Sequence, residues 1–133
     1  MLLSDHAEAE DIPLVLDLLH VATHNYAICH LVDALARVPS LGPYAELRPI
    51  FTGINYSYGR RRAAIALAAT DPDFAETFAF ECLWDCEAET RAVGCKVVHL
   101  DDRSIPRLQA IADDPVEDAS TRTAATLRLR ALD

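Results

Sequence analysis

The chain has 133 residues, of which 51% are hydrophobic, so it is long enough for one domain with a continuous core. Its formal net charge of −9 argues against nucleic-acid binding, because an acidic surface repels phosphate. No apolar run approaches the roughly 20 residues that cross a bilayer. The first residues also lack a basic region followed by a long apolar stretch, so we expect a cytoplasmic protein with no membrane partner.

Apolar residues recur at helical spacing along the chain, and this spacing predicts eight helices joined by short turns rich in Asp, Asn and Pro. The predicted helices span residues 11–22, 25–38, 44–54, 60–69, 74–86, 90–99, 105–112 and 117–132. Short linkers favour packing of consecutive helices. We therefore expect an all-α fold of about four antiparallel helix pairs, in a single domain over residues 1–133.

Several residues within these helices have expected structural roles. Asp11 and Asn25 are expected to cap the first and second helices, and Pro49 to interrupt the third. The cysteines lie in apolar, helix-like stretches, so we expect them to be small buried hydrophobic residues. They are Cys29, Cys82, Cys86 and Cys95.

A repeat with a period of 31 residues runs through the second half of the chain. Its positions are Arg60, Arg91 and Arg122; Ala63, Gly94 and Ala125; Leu67, Val98 and Leu129; and Asp71, Asp102 and Asp133. A fixed period in this range is typical of stacked helical repeats. We expect the small residues to permit close helix contacts. Each repeated arginine is expected to pair with a turn carboxylate of a neighbouring repeat, such as Asp71 or Asp102.

The repeat unit resembles the HEAT-like repeats, particularly the short kind named after phycobilisome lyases. The matching pattern is Ile-Pro, an apolar helix, an Asp/Pro turn, and a helix with Arg followed by Ala-Ala and Leu. It lies in Ile12-Pro13 and in residues 61–67, 71–73, 91–98, 105–111 and 122–129. The resemblance implies an α-solenoid whose second helices line the concave side. It implies protein binding most often, and enzymatic function in a minority of members.

Two groups of residues have the chemistry of metal ligands. They are Cys82, Cys86, Cys95 and His99, and Asp17, His20, His24 and His30. Zinc needs four ligands within bonding reach, and a turn centred near Ala88 does not bring the first four together. The second group lacks the repeated His-Glu pairs of the HEAT-like di-iron hydroxylases. We therefore expect no metal and no other cofactor.

Three features are candidates for protein binding. The candidate residues are Phe80, Trp84, Arg60, Arg61, Arg62 and Leu127. The arginines form the only basic cluster, suited to a phosphate or an acidic partner. The aromatic residues lie one helical turn apart, and they form either an exposed anchor or a contact with a neighbouring helix pair. Leu127 lies on a side of the last helix that no ninth helix covers, so we expect a homodimer or partner contact there.

We expect a noncatalytic HEAT-like protein that mediates protein–protein interaction, with no catalytic residues. An acidic binder of this kind suits a basic partner, either as a scaffold or adaptor or as an immunity-type inhibitor. The alternative is an enzyme or chaperone of the phycobilin-lyase-like or metal-dependent HEAT class. An absorbance spectrum and a metal analysis of the purified protein distinguish these alternatives. HEAT-like alkylpurine DNA glycosylases are disfavoured, because glutamates surround Trp84 and repel DNA.

Overall fold

The computed structural model describes residues 3–133, and over that range all regular secondary structure is helical. The α-helices are α1 Leu3–His6, α2 Ile12–Val21, α3 Asn25–Ala36, α4 Leu47–Gly53, α5 Ser57–Thr70, α6 Phe78–Cys82, α7 Ala88–Val97, α8 Ser104–Asp113 and α9 Ala119–Leu129. Short 3₁₀ turns occupy Ala9–Asp11, Pro39–Leu41, Phe74–Glu76 and Arg130–Leu132. The all-α prediction is confirmed. Among the described helices, none is both long and apolar enough to span a bilayer.

Consecutive helices pack in pairs: α2 with α3, α4 with α5, α6 with α7, and α8 with α9. The chain divides at Pro72 into two compact units, which we call the N-terminal and C-terminal units. Each unit contains two helix pairs. The second helices also pack side by side within a unit, α3 against α5 and α7 against α9. The pairing of consecutive helices follows from the short linkers, which keep each helix close to the next one in the chain.

The core of the N-terminal unit lies between α2, α3, α4 and α5. Its fully buried side chains include Val15, Val32, Leu35, Leu47 and Leu67. The helix predicted over 44–54 begins later, at Leu47. Pro49 consequently lies in the first turn of α4, where its missing N–H removes no helical hydrogen bond, so it does not interrupt the helix as predicted.

The start of the chain and the first caps differ from the predictions. The short helix α1, which we did not predict, packs against α3. Asp11 lies at the N-cap of α2, but its carboxylate accepts a hydrogen bond from the Glu8 amide. His24 rather than Asn25 caps α3, because its Nδ1 accepts a hydrogen bond from the Tyr26 amide at 3.3 Å. Asn25 is the first residue inside the helix.

The core of the C-terminal unit contains Phe74, Leu83, Val98, Leu108 and Ile111. The single helix predicted over 74–86 is wrong: it is a 3₁₀ turn followed by the five-residue α6. The interruption is at Thr77, whose φ of −117° and ψ of −94° lie outside the helical region. Cys86 therefore lies beyond α6 and is exposed, contrary to prediction, whereas the other three cysteines are buried as predicted.

The repeated small residues lie where helices approach closely. Ala63 and Ala125 are completely buried, and Gly94 is also buried. A Cβ atom on Gly94 would lie 2.6 Å from the carbonyl oxygen of Ala79 and 2.8 Å from the Cβ of Cys82. Both distances are shorter than ordinary van der Waals contact, so glycine is required for α7 to pack this closely on α6.

Two of the repeated arginines hold the turns that precede their own helices. Arg91 Nη1 donates to the carbonyl of Asp85 at 2.8 Å, and Arg122 Nη1 donates to that of Pro115 at 3.1 Å. Arg91 also forms an ion pair of the predicted kind, with a turn carboxylate of the next helix pair; the partner is Glu117, not one of the two examples, Asp71 and Asp102. Asp71 instead accepts hydrogen bonds from Arg48 on α4, which the sequence pattern did not indicate.

Candidate functional site

Trp84 is a large exposed aromatic side chain in the C-terminal unit, with 62% of its surface accessible. It lies in the turn after α6, where its amide donates to the carbonyl of Glu81. The guanidinium carbon of Arg107, on α8, lies 4.1 Å from the centre of the indole ring. Arg107 is itself held by two hydrogen bonds to the carbonyl of Leu83, at 3.1 and 2.9 Å. The indole is therefore exposed and also stacked against the Arg107 guanidinium.

Phe80 forms a second contact of the same kind. The guanidinium carbon of Arg103 lies 4.7 Å from the centre of its ring, and Phe80 is half-buried. The two arginines lie four residues apart, as the two aromatic residues do, and each arginine forms a cation–π contact with one of the rings. We call Phe80, Trp84, Arg103 and Arg107 the Trp84 surface. The arginines were not predicted, although their matched spacing was a usable signal.

The Trp84 surface belongs to a strongly acidic part of the chain. The C-terminal unit contains 13 acidic and seven basic residues, which gives it a formal charge of −6. Glu81, which follows Phe80 directly, is exposed. The surface itself contains two arginines and no carboxylate, so the negative charge that favours a cationic partner comes from the rest of the unit.

A second candidate site is a cleft of about 200 Å³ in the N-terminal unit, between α3 and the beginning of α5. We call it the tyrosine cleft. It is lined by Tyr26, Cys29, His30, Asp33, Tyr56, Tyr58, Arg61 and Arg62. Two of the predicted arginines, Arg61 and Arg62, are thus brought together with three tyrosines. Arg60 is not among the residues that line the cleft.

The tyrosine rings form a continuous aromatic wall. Tyr26 and Tyr56 make an edge contact with their centres 6.3 Å apart, and Tyr56 and Tyr58 are 5.7 Å apart. The guanidinium carbon of Arg61 lies 5.0 Å from the centre of the Tyr58 ring. His24 extends the wall by stacking on Tyr26 at 5.5 Å. The wall depends on α3 packing against α5, because the tyrosines come from both sides of that contact.

The polar groups of the cleft are partly removed from solvent. Arg62 on α5 forms an ion pair with Asp33 on α3. Burial raises the pKa of the Asp33 carboxyl, and the charge of Arg62 and its hydrogen bond oppose this effect. Burial likewise raises the pKa of the Tyr56 hydroxyl and of the Cys29 thiol. The ordinary pKa values of the two groups, 10.0 and 9.0, already lie above 7, so the Tyr56 hydroxyl and the Cys29 thiol are both neutral at pH 7.

Leu127, the remaining predicted residue, lies on α9 with 55% of its surface exposed. It forms a ridge between two shallow surface grooves. One groove, of about 340 Å³, includes Ala92 and Lys96 of α7, and the other, of about 420 Å³, includes Ala112 of α8. Leu127 and the Trp84 surface thus belong to the C-terminal unit, and the arginine cluster belongs to the N-terminal unit.

The two groups considered as metal ligands are not brought together. In residues 3–133, no three His, Cys, Asp or Glu side chains are placed to hold one metal ion. Cys82 and Cys95 are buried, and burial raises the pKa of Cys95 to about 11, which keeps its thiol protonated. His20 instead lies 4.0 Å from the carboxylate of Glu46.

No family model, curated protein or solved structure matches this chain. The described part of the molecule is an all-helical protein built from helix pairs, with an exposed aromatic surface and a tyrosine-lined cleft. The resemblance to HEAT-like repeats stays a prediction from the sequence pattern.

Proposed function

We propose that this chain is a noncatalytic HEAT-like repeat protein that binds a basic protein through the Trp84 surface. The 31-residue period supports the stacking of its helix pairs into a solenoid. The side-by-side packing of second helices within each unit, α3 on α5 and α7 on α9, is also what such stacking requires. The proposal places the protein in the cytoplasm, as a scaffold or adaptor or as an immunity-type inhibitor.

The observation that carries the proposal is the exposed indole of Trp84, in contact with the guanidinium of Arg107. Tryptophan is among the side chains that dominate the energy of protein interfaces, because it offers a large contact area and has few rotatable bonds. Arg107 restricts the ring further by stacking on it and by bonding to the carbonyl of Leu83. Little conformational entropy then remains to be lost when a partner covers Trp84.

The charge of the C-terminal unit determines the kind of partner. A net charge of −6 attracts a basic protein over a distance comparable with the Debye length and accelerates association at low salt. At contact, the exposed carboxylate of Glu81 is available to pair with a lysine or arginine of the partner. The net negative charge of the unit repels an acidic partner or a nucleic acid at long range.

The proposal is tested by capturing partners from the source cell with the wild-type chain and with Trp84→Ala. Val116→Ala is the matched control, because Val116 is an apolar residue of the same unit that is 89% exposed. We expect wild type and the control to retain a basic protein that Trp84→Ala loses, and we expect salt to elute it.

The captured protein is then purified and titrated while the fluorescence of Trp84, the only tryptophan, is recorded. We expect a saturable blue shift, since the partner removes the indole from water. A partner that binds Trp84→Ala as tightly as wild type would contradict the use of this surface. A captured protein with an acidic surface would contradict the electrostatic part of the proposal.

A further inference from the structure

We propose that two copies of this chain associate head to tail, with α9 of one copy bound against α2 of the other. The inference rests on an exposed helix face in each unit: the one on α2 is apolar and acidic, and the one on α9 is apolar and basic. Neither face belongs to the Trp84 surface, so the inference is independent of the function proposed for that surface.

The outer side of α2 is an uncovered apolar stripe. Leu14, Leu18 and Val21 follow one another at intervals of four and three residues, so they lie on one side of the helix. They are 53%, 40% and 73% exposed. Among the described helices, α3 is the only one against which α2 packs extensively, and the buried residues of α2 lie on its other side.

Exposed carboxylates flank this stripe. Asp17 lies three residues after Leu14 and four before Val21, and Glu10 lies in the turn that precedes α2. Neither carboxylate forms an ion pair with a described residue, and the chain contains no Lys or Arg before Arg37. We call the apolar stripe and these two carboxylates the α2 face.

The exposed side of α9 combines an apolar ridge with basic margins. Leu127 is 55% exposed between the two grooves of about 340 and 420 Å³. Of the described residues that line these grooves, four are basic and none is acidic. We call Leu127 and these basic residues the α9 face. The basic residues are Lys96, Arg122, Arg128 and Arg130.

The cations of the α9 face are concentrated in a unit that is acidic as a whole. They are four of its seven basic residues. The charge of Arg122 is partly balanced by the carboxylate of Asp118. Lys96, Arg128 and Arg130 form no ion pair with a described residue. The α9 face therefore presents positive charge beside an apolar side chain, and its complement is a surface that is both apolar and acidic.

A second copy of the chain supplies that complement. Amphipathic helices bind apolar grooves through anchors at positions i, i+4 and i+7, which is the spacing of Leu14, Leu18 and Val21. Two α9 faces would place cations against cations, and two α2 faces would place carboxylates against carboxylates. Only the contact of unlike faces satisfies the charged groups as well as the apolar ones, so the contact is heterologous.

This contact is local, although each copy has a formal net charge of −9. Beyond about 8 Å, the Debye length at physiological salt, the repulsion between the two copies is largely screened. At shorter distances the α2 and α9 faces bring carboxylates against cations. The removal of the leucine and valine side chains from water adds the apolar contribution.

The test is sedimentation velocity of the full chain and of two variants, each of which damages one face. Val21→Arg places a cation on the α2 face, and Leu127→Glu places a carboxylate on the α9 face. We expect the wild type to sediment faster than a monomer at tens of micromolar, and each variant alone to sediment as a monomer. An equimolar mixture of the two variants should restore a dimer, because each variant keeps the face that the other needs.

The matched controls are Ile65→Arg and Val116→Glu. They place the same charges on exposed apolar residues outside both faces, since Ile65 is 43% exposed and Val116 is 89% exposed. Both controls should associate like wild type. If thermal melting shows that Val21→Arg or Leu127→Glu does not fold, Leu14→Arg and Arg130→Glu replace them on the same faces.

Three outcomes would overturn the inference. A wild type that is monomeric at tens of micromolar would leave the α9 face to an acidic segment of another protein. A folded Val21→Arg that associates like wild type would show that the contact does not use the α2 face. A mixture of the two folded variants that stays monomeric would exclude the contact of unlike faces. None of these outcomes bears on partner capture by Trp84.

Discussion

The side chains of Arg91 and Glu117 meet at two points. Arg91 Nε lies 2.8 Å from Glu117 Oε2, and Arg91 Nη2 lies 2.6 Å from Glu117 Oε1. Only 18% of the Arg91 side chain and 6% of the Glu117 side chain are exposed. Because Arg91 is on α7 and Glu117 precedes α9, this ion pair connects the two helix pairs of the C-terminal unit.

Removal of this ion pair is expected to destabilise the protein. Glu117→Gln should lower the free energy of unfolding by about 1.5–3 kcal/mol, the usual contribution of hydrogen bonds to a charged group. Urea unfolding followed by circular dichroism measures the change. Asp102→Asn is the control, because Asp102 is exposed and should change stability little. If Glu117→Gln and Asp102→Asn both unfold at the wild-type midpoint, the ion pair contributes nothing to stability.

The same pair makes stability depend on pH in the acidic range. The hydrogen bond from Arg91 is the main cause of a pKa of Glu117 below its ordinary value of 4.5. As the pH falls, Glu117 is protonated at a higher pH in the unfolded chain than in the folded chain. Its contribution to stability is therefore present above pH 4.5 and is lost below it. Thermal melting between neutral pH and pH 3 should therefore show a shallower decline for Glu117→Gln than for wild type. Parallel declines would contradict the assignment.

Gly94 should not tolerate even a methyl group. Gly94→Ala is expected to destabilise by about 1–3 kcal/mol, although alanine favours helices, because the added Cβ would collide with the backbone of Ala79. Gly53→Ala is the matched control: Gly53 also lies in a helix, but a Cβ there would meet nothing within 4 Å. We expect this control to be neutral or slightly stabilising in thermal melts. If both variants melt like wild type, α6 and α7 do not pack this closely.

Arg107 is expected to determine the environment of the Trp84 indole. Arg107→Ala should shift the fluorescence emission of Trp84 to longer wavelength, because water replaces the guanidinium on the ring. Stability should fall by about 0.5–1 kcal/mol, the range of an exposed cation–π pair. Arg130→Ala removes an exposed arginine from the same unit and should leave the spectrum unchanged. An unchanged spectrum for Arg107→Ala would mean that the stacked arrangement does not persist in solution.

Leu127 is expected to mediate self-association or partner docking through α9. It projects between two grooves, and the neighbouring Arg128 is held by a hydrogen bond from its Nε to the carbonyl of Val98 at 2.9 Å. Sedimentation velocity at tens of micromolar should show a dimer for wild type and a monomer for Leu127→Glu, since a buried charge is costly. A monomeric wild type with no partner that protects α9 from hydrogen exchange would exclude this interface.

The repeat pattern does not predict the tyrosine cleft. Tyr26 and Tyr56 lie 30 residues apart, one short of the period of 31, and both precede Arg60, the first repeated position. The pattern did not show that α3 and α5 pack so that these rings meet. A period places residues at equivalent positions, but the separation of two rings depends on how the helices are rotated against each other.

The all-helical fold, the pairing of consecutive helices and the close contact at Gly94 follow from the sequence, because apolar spacing, short linkers and side-chain size are local properties. The tertiary structure alone decided the end of α6, the exposure of Cys86 and the choice of Glu117 over Asp102 as the partner of Arg91. It also placed Arg107 on Trp84. These features depend on distances between residues far apart in the chain, and several arrangements of similar local energy are compatible with the same helical period.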